Sequence, residues 1–250
     1  MNVLTIANQK GGVGKTTTAA ALAVLLSRAG RRVHVIDMDP QSNLTEAFGL
    51  QDPESLLYEA LSRREPLPVV PIQTNLTLTP SSIDLARGEL HFVAETGREF
   101  ILRRCLERTD LGQETVVIID SPPTLGVLAV NCLTAASTVV VVVKPGGFEM
   151  RALSRLEEVI AELRETGIRP DLRISGVILT EVQARRTIND QVEEDLRKLY
   201  PVLGRIRSEA KLVYATTEGR IAELTRSNAF DDYQQVAEQL GEFIPWLRRS

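Results

Sequence analysis

Short apolar runs alternate along this chain with longer stretches in which apolar positions recur at helical spacing, the pattern of a parallel sheet covered by helices on both faces. The runs predict strands over Val3–Ala7, Arg32–Asp37, Leu76–Thr79, Thr115–Ile119, Thr138–Val143 and Arg173–Leu179, with a short one around Val202–Ile206. The stretches between them predict helices near Lys15–Arg28, Ser55–Ser62, Ile83–Glu107, Leu125–Ala135, Met150–Thr166 and Thr187–Leu199, and a last helix over Asp231–Trp246. Gly30 and Gly167 stand where left-handed caps would close two of these helices. The proline-rich segment Pro66–Pro71 reads as a surface loop. The expected architecture is therefore α/β: one doubly wound, mostly parallel sheet with helices on both faces, in a single domain spanning residues 1–250.

The first strand runs into Lys10-Gly11-Gly12-Val13-Gly14-Lys15-Thr16-Thr17, a glycine loop between a buried strand and a helix. That context is the one a phosphate-binding loop requires. Glycines let successive backbone N–H groups turn inward toward phosphate oxygens, and the helix beginning near Lys15 adds its positive dipole end. Lys15 is expected to reach the β- and γ-phosphates, and the Thr16 hydroxyl to ligate Mg²⁺, a hard cation that prefers oxygen. Lys10 is a second lysine ahead of the glycines, a charge aimed at phosphates, including those of a neighbouring subunit.

Ligands of open parallel sheets sit beyond the carboxyl ends of the strands, and carboxylates stand at two of those ends here. The second strand runs into Asp37-Met38-Asp39-Pro40-Gln41 and the fourth into Asp120-Ser121-Pro122-Pro123. Asp120 suits a Walker B role, holding Mg²⁺ through its water shell. Of Asp37 and Asp39, two residues apart, one can position the attacking water while the other supports the metal shell or the loop itself.

Composition narrows the classes further. In 250 residues, 43% hydrophobic and 25% charged, no apolar run reaches the roughly 18–20 residues that span a bilayer. The chain enters a strand directly from Met1, which leaves no room for an export signal, so a cytoplasmic location is expected. Cys105 and Cys132 read as buried small hydrophobes, and neither His34 nor His91 has metal-binding or triad spacing. The net charge of −4 does not favour nucleic acid for the molecule as a whole. Arginines nevertheless gather in the second half, at Arg185, Arg186, Arg205, Arg207, Arg220, Arg226, Arg248 and Arg249, either as solvated or paired surface charge or as a phosphate-contacting patch.

Over nearly its whole length the chain resembles the ParA/Soj family of deviant Walker A ATPases, through Asn8–Thr17, Asp37-Met38-Asp39-Pro40-Gln41 and Ile119-Asp120-Ser121-Pro122-Pro123. The resemblance implies an ATP- and Mg²⁺-dependent P-loop ATPase that partitions chromosomes or plasmids. It implies that Lys10 reaches the partner's ATP in a sandwich homodimer, that Asp39 positions the hydrolytic water, and that the segments after Asp39 and Asp120 act as switches. ATP-bound dimers of the family bind double-stranded DNA without sequence preference, on the nucleoid, and a ParB-type centromere-binding partner stimulates hydrolysis and releases them. Arg185, Arg207 and Arg220 are the positions that the resemblance offers for DNA contact.

Two places depart from the family pattern. Gln183-Ala184-Arg185 stands where the family carries Asp-Ala-Arg, and Lys144-Pro145-Gly146-Gly147-Phe148 is an unusually glycine-rich turn, read as a loop. Because the chain begins at the first strand, specific operator binding through an N-terminal helix-turn-helix is not expected. Three other functions compete. A ParA-like protein that positions a different cargo would carry the same ATPase and DNA-binding parts. A MinD-like membrane-positioning ATPase could use the Phe243–Arg249 tail, although Pro245 breaks it and packing of that tail on the core is favoured. An iron–sulfur reductase needs glycine-flanked cysteines, which neither Cys105 nor Cys132 is.

Overall fold

The computed structural model describes residues 2–51, 56–112, 114–146, 149–182 and 187–247. In chain order these form β1 (Asn2–Ala7), α1 (Lys15–Arg28), β2 (Val33–Asp37), α2 (Asn43–Ala47), α3 (Leu56–Arg63), β3 (Val70–Gln73), β4 (Leu76–Thr79), α4 (Ala86–His91) and α5 (Ile101–Arg108). The second half continues with β5 (Val116–Asp120), α6 (Val127–Ala135), β6 (Thr138–Val143), α7 (Glu149–Glu165), β7 (Ile174–Val182), α8 (Thr187–Arg197), β8 (Val202–Arg207), α9 (Ala210–Thr217) and α10 (Asn228–Phe243). The strands make one 8-stranded sheet in the order β3-β4-β2-β5-β1-β6-β7-β8, parallel throughout except for β3.

The central strands β2, β5 and β6 are buried at every position, as strands covered on both faces must be. Side chains alternate across the sheet. Leu4, Ile6, Val33, Val35, Val116, Ile118, Val140 and Val142 pack on the face covered by α1 and α10. Val3, Ile36, Val117 and Ile119 pack on the opposite face against α3, α5 and α6, and Val139, Val141 and Val143 against α7. His34, on β2, is a fully buried polar side chain in this largely apolar interior. Its Nδ1 and Nε2 lie 2.8 and 2.9 Å from the hydroxyls of Thr77 and Thr79 on β4. Thr79 already donates its proton to the Pro68 carbonyl, so it accepts from His34 Nε2–H and Thr77 donates to Nδ1. The imidazole is thus held neutral as a polar rivet between neighbouring strands.

Four local expectations change. The helix expected over Ile83–Glu107 is broken into short turns, α4 and α5, because Gly97 takes φ 67° and stops helical hydrogen bonding there. The proline-rich segment is not all loop: Val70–Gln73 adds an antiparallel edge strand, where Pro71 can do without a ladder donor. The short helices α2 and α9 were not expected. The last helix starts at Asn228, because the Ser227 hydroxyl caps it by accepting from Phe230 N–H at 3.1 Å, and it ends at Phe243.

Burial pushes the His34 pKa from 6.5 down to about 4. The unfolded chain therefore takes up a proton that the folded chain refuses, and stability falls as pH drops below the unfolded value toward the folded one. Raised values at Asp37 and Asp120 act in the opposite sense, so the comparison is made against a variant without the imidazole. Urea unfolding at pH 7.5 and 5.5 is expected to narrow the stability gap between wild type and His34→Gln by about 1 kcal/mol. A constant gap would mean that the imidazole does not titrate in this window.

Candidate functional site

The sheet register brings the chemistry together. Asp37, the last residue of β2, is directly opposite Asp120, the last residue of β5, and Asp120 is also paired with Ile6 near the end of β1. The loop 8–15 leaves β1 at the same edge and returns as α1. Gly12 and Gly14 take φ 68° and 86°, a left-handed geometry that strains any side-chain-bearing residue, and Gly14 is the N-cap of α1. That cap has no side-chain bond and the first turn no acidic residue, so the leading N–H groups face the loop's concavity.

Asn8 sets the entry to the loop. Its amide donates to the Val142 carbonyl of β6 at 2.6 Å, and its Oδ1 accepts from Lys10 N–H at 2.9 Å. Thr180 of β7 sets the far side, donating to the Val13 carbonyl at 2.7 Å while its methyl sits 3.6 Å from where a Gly14 side chain would begin. Lys15 is buried, with Nζ 3.4 Å from the Lys10 carbonyl, whereas Lys10 itself is exposed on the rim. The helix that carries the loop is fixed from behind by Thr18, whose hydroxyl is 2.9 Å from that of Tyr233 on α10.

Asp120, Asp37, Lys15 and Asp39 lie together beneath exposed Lys10 at this edge. Thr16 donates its hydroxyl to Asp120 Oδ2 at 2.6 Å, and Asp120 Oδ1 is buried with no hydrogen-bond partner. Burial, and then the neighbouring Asp37, push Asp120 up to about 8 against the opposing pull of the Thr16 bond and Lys15. Burial also pushes Asp37 up to about 7, although Thr45 and Asp39 N–H bond to it. Lys15 is shifted downward by burial, while Asp120 and Asp39 partly hold its charge. Asp39 accepts from Gln41 N–H at 3.0 Å, in a loop where Ser42 has φ 57°. That conformation costs a non-glycine residue roughly 1–2 kcal/mol.

An orphaned oxygen on a buried carboxyl beside a bonded hydroxyl fits a divalent cation, whose charge would reverse the upward shift of Asp120. Among the described residues no three His, Cys, Asp or Glu side chains form a metal cage. The site therefore suits a cation that takes one or two protein oxygens and completes its shell with phosphate and water, as Mg²⁺ does.

The structure thus assembles Lys10, Gly11, Gly12, Val13, Gly14, Lys15, Thr16, Thr17, Asp37, Asp39 and Asp120 at one edge. Arg207 and Arg220 lie outside this cluster. Arg207 ends β8, three strands from β1 and so about 14 Å across the sheet. Its guanidinium is held in a fork by Asp232, at 2.8 and 2.7 Å. Arg220 pairs with Glu223 at 2.7 Å. Arg185, Gln183 and the Gly147-Phe148 pair lie outside the described residues. Asn8 stood only within the motif that carries the resemblance, with no role assigned, and Thr45 and Thr180 were not singled out. Asn8 and Thr180 bond partners 134 and 167 residues away, whereas Thr45 bonds Asp37 only eight residues back, with no pattern that marks the pair.

A family model described as an AAA domain matches residues 1–174. The chain is 37% identical over 203 residues to the sporulation initiation inhibitor protein Soj of Bacillus subtilis, covering 79% of each. It is 38% identical over 200 residues to the chromosome partitioning protein ParA of Myxococcus xanthus, covering 78% of this chain and 70% of that one. A solved structure of cobyrinic acid a,c-diamide synthase from Mycobacterium smegmatis, with bound ATP analog and magnesium, is similar at 36% identity and TM-score 0.75, covering 87% of this chain and 92% of that one.

The Asn8 brace is testable without any ligand. Removing its amide leaves the buried Val142 carbonyl and the Lys10 N–H without their partner, so Asn8→Ala is expected to lower unfolding free energy in urea by about 1–3 kcal/mol. A change below about 0.5 kcal/mol, the scale of an ordinary surface substitution, would count against the brace.

Proposed function

Since the chain belongs to the ParA/Soj family of P-loop ATPases, we propose that it binds ATP with Mg²⁺ at the 10–17 loop, hydrolyses it, and uses the cycle to partition DNA. The observation that carries this reading is the Thr16–Asp120 bond beside buried Lys15, with Asp120 Oδ1 left buried and unsatisfied. The N–H groups of residues 11–17 bind phosphate oxygens, and Lys15 places its ammonium on the terminal phosphates. Thr16 and Asp120 hold the cation, Asp120 through water, and Asp39 supports the shell. When bound, Mg²⁺ neutralises phosphate charge that builds as the terminal group leaves. Asp39 orients the attacking water.

Exposed Lys10 reaches the nucleotide of a second copy, so that the homodimer forms on ATP and loosens when the terminal phosphate is lost. Such a dimer presents Arg185, Arg207 and Arg220 to the phosphates of double-stranded DNA without sequence preference. It works on the nucleoid in the cytoplasm, and a ParB-type protein stimulates its hydrolysis. The exposed Arg220–Glu223 pair is worth little and exchanges readily for phosphate. Arg207 is less free, because its removal strands Asp232, which is only 9% exposed. Among the described residues no helix is long and apolar enough to cross a membrane.

The name of the M. smegmatis neighbour raises a second reading, ATP-driven amide formation. A glutamine-cleaving thiol would have to be accessible and easily ionised. Cys105 and Cys132 are buried, and burial raises both thiol pKa values. Glutamine-dependent ATP turnover on cobyrinic acid would favour that reading.

The central test is binding of a random-sequence duplex to Asp39→Ala with ATP, with ADP and without nucleotide, at two salt concentrations. Salt-sensitive binding with ATP alone is expected. Lys15→Ala is expected to lose nucleotide binding, and Lys10→Ala to bind nucleotide without dimerising or turning over. Arg220→Ala should weaken DNA binding and reduce the slope of log affinity against log salt by about 1 per contact, with the unfolding midpoint unchanged. No DNA binding by protein that binds ATP would remove the basic-patch argument and move the weight to a membrane or a protein cargo.

A further inference from the structure

The two oxygens of the Asp37 carboxylate hold the two ends of the loop that carries Asp39. Oδ1 accepts from Asp39 N–H at 3.1 Å, at the start of the loop. Oδ2 accepts from Thr45 N–H at 2.9 Å and from the Thr45 hydroxyl at 2.7 Å, six residues further on. The Thr45 hydroxyl in turn accepts from Ser81 N–H, just past β4, at 2.9 Å. Both Asp37 and Thr45 are fully buried. Within the loop, Ser42 N–H bonds to the Asp39 carbonyl at 2.9 Å and Ser42 keeps its left-handed backbone.

A five-residue helix such as α2 has too few internal bonds to persist by itself, so what fixes it is external. An apolar contact could seat α2 on the sheet, but it would not set the angle at which the chain leaves β2. The carboxylate does, because it binds Asp39's own N–H and the far anchor at once. Release of the far anchor would let Ser42 relax toward ordinary backbone angles and carry Asp39 with it.

We infer that Thr45 is a positioning residue for hydrolysis: clamped to Asp37, it holds the Asp39–Ser42 loop so that the Asp39 carboxylate keeps its aim at the reacting phosphate. The inference rests on the assignment of Asp39 as the water-orienting group. Thr45 is fully buried, with its bonds running to Asp37 and Ser81, so it acts through Asp37. Its contribution is to kcat and not to nucleotide affinity, since the loop N–H groups and Lys15 are anchored separately through Asn8 and Thr180.

The test uses the full chain with Mg²⁺ and ATP, comparing wild type, Thr45→Val, Thr45→Ser and Asp39→Ala. Valine keeps the shape and loses the hydroxyl, whereas serine keeps both of its hydrogen bonds. Thr45→Val is expected to bind a fluorescent ATP analogue within about twofold of wild type while kcat falls roughly tenfold to a hundredfold. Thr45→Ser should restore most of the turnover. Hydrogen exchange should quicken in Thr45→Val at residues 39–46 and stay unchanged in the sheet. Wild-type turnover by Thr45→Val, with Asp39→Ala inactive, would sink the inference and leave the Asp39 assignment standing. Exchange that rises across the whole sheet would sink it too, making Thr45 a residue of the fold. Undiminished turnover by Asp39→Ala would instead remove the assignment on which the inference rests.

Discussion

A buried carboxylate with one oxygen bonded and the other bare is the constraint around which this edge of the molecule is arranged. Asp120 cannot be hydrated, and its neighbour across the register is another buried acid, Asp37. Burial pushes both groups toward protonation, and at Asp120 the neighbouring Asp37 adds to it. Lys15, also buried, is the counter-charge that the fold itself supplies, and burial weakens that charge as well. The protein alone leaves this edge under-compensated. A cation with an attached polyphosphate would supply both missing signs, the cation to Asp120 and the anion to the loop.

That balance depends on where the strands stop. Parallel pairing of β1, β2 and β5 puts all three carboxyl ends on one edge, so residues over a hundred positions apart become neighbours. Position alone does not define the loop's shape, however. Asn8 ties it to β6 and Thr180 ties it to β7, so the two strands on the far side of β1 act as its buttress. On the near side Asp37 does the same for the loop after β2. The glycine loop on one side of the site and the loop after β2 on the other are therefore each held by polar side chains bonded to backbone groups that would otherwise be orphaned.

Residues whose chemistry is local were legible in the sequence. Gly12 and Gly14, Lys15, Thr16, Asp39 and Asp120 announce themselves by spacing, because a phosphate loop and strand-end acids need particular residues within a few positions. The strands were legible for the same reason, as continuous apolar runs. What stayed hidden was long-range or marginal. Nothing near Thr180 points to Val13, and no periodicity marks Thr45 as the partner of a carboxylate eight residues back. The five-residue α2 is too short to leave a helical pattern. Gly97 breaks the long helix over 83–107, yet its neighbours carry ordinary helical spacing that masks the break. Arginines were visible as charges, but the carboxylates that pair with them were not, as with Asp232 lying 25 residues from Arg207.

Glycines also explain how the loop after Asp39 meets the C-terminal third of the chain. Beyond α2, Gly49 takes φ 79° and packs against Gly219, which takes φ 69°. A side chain on Gly49 would begin 3.0 Å from the Gly219 carbonyl oxygen, and one on Gly219 would begin 2.8 Å from the Glu46 carbonyl oxygen and the Gly49 Cα. The approach is backbone on backbone, with no flexible side chain between the segments to absorb a shift. Arg220, the next residue after Gly219, therefore leaves the chain directly beside this backbone-on-backbone contact with the end of α2, while its own exposed pairing with Glu223 contributes little.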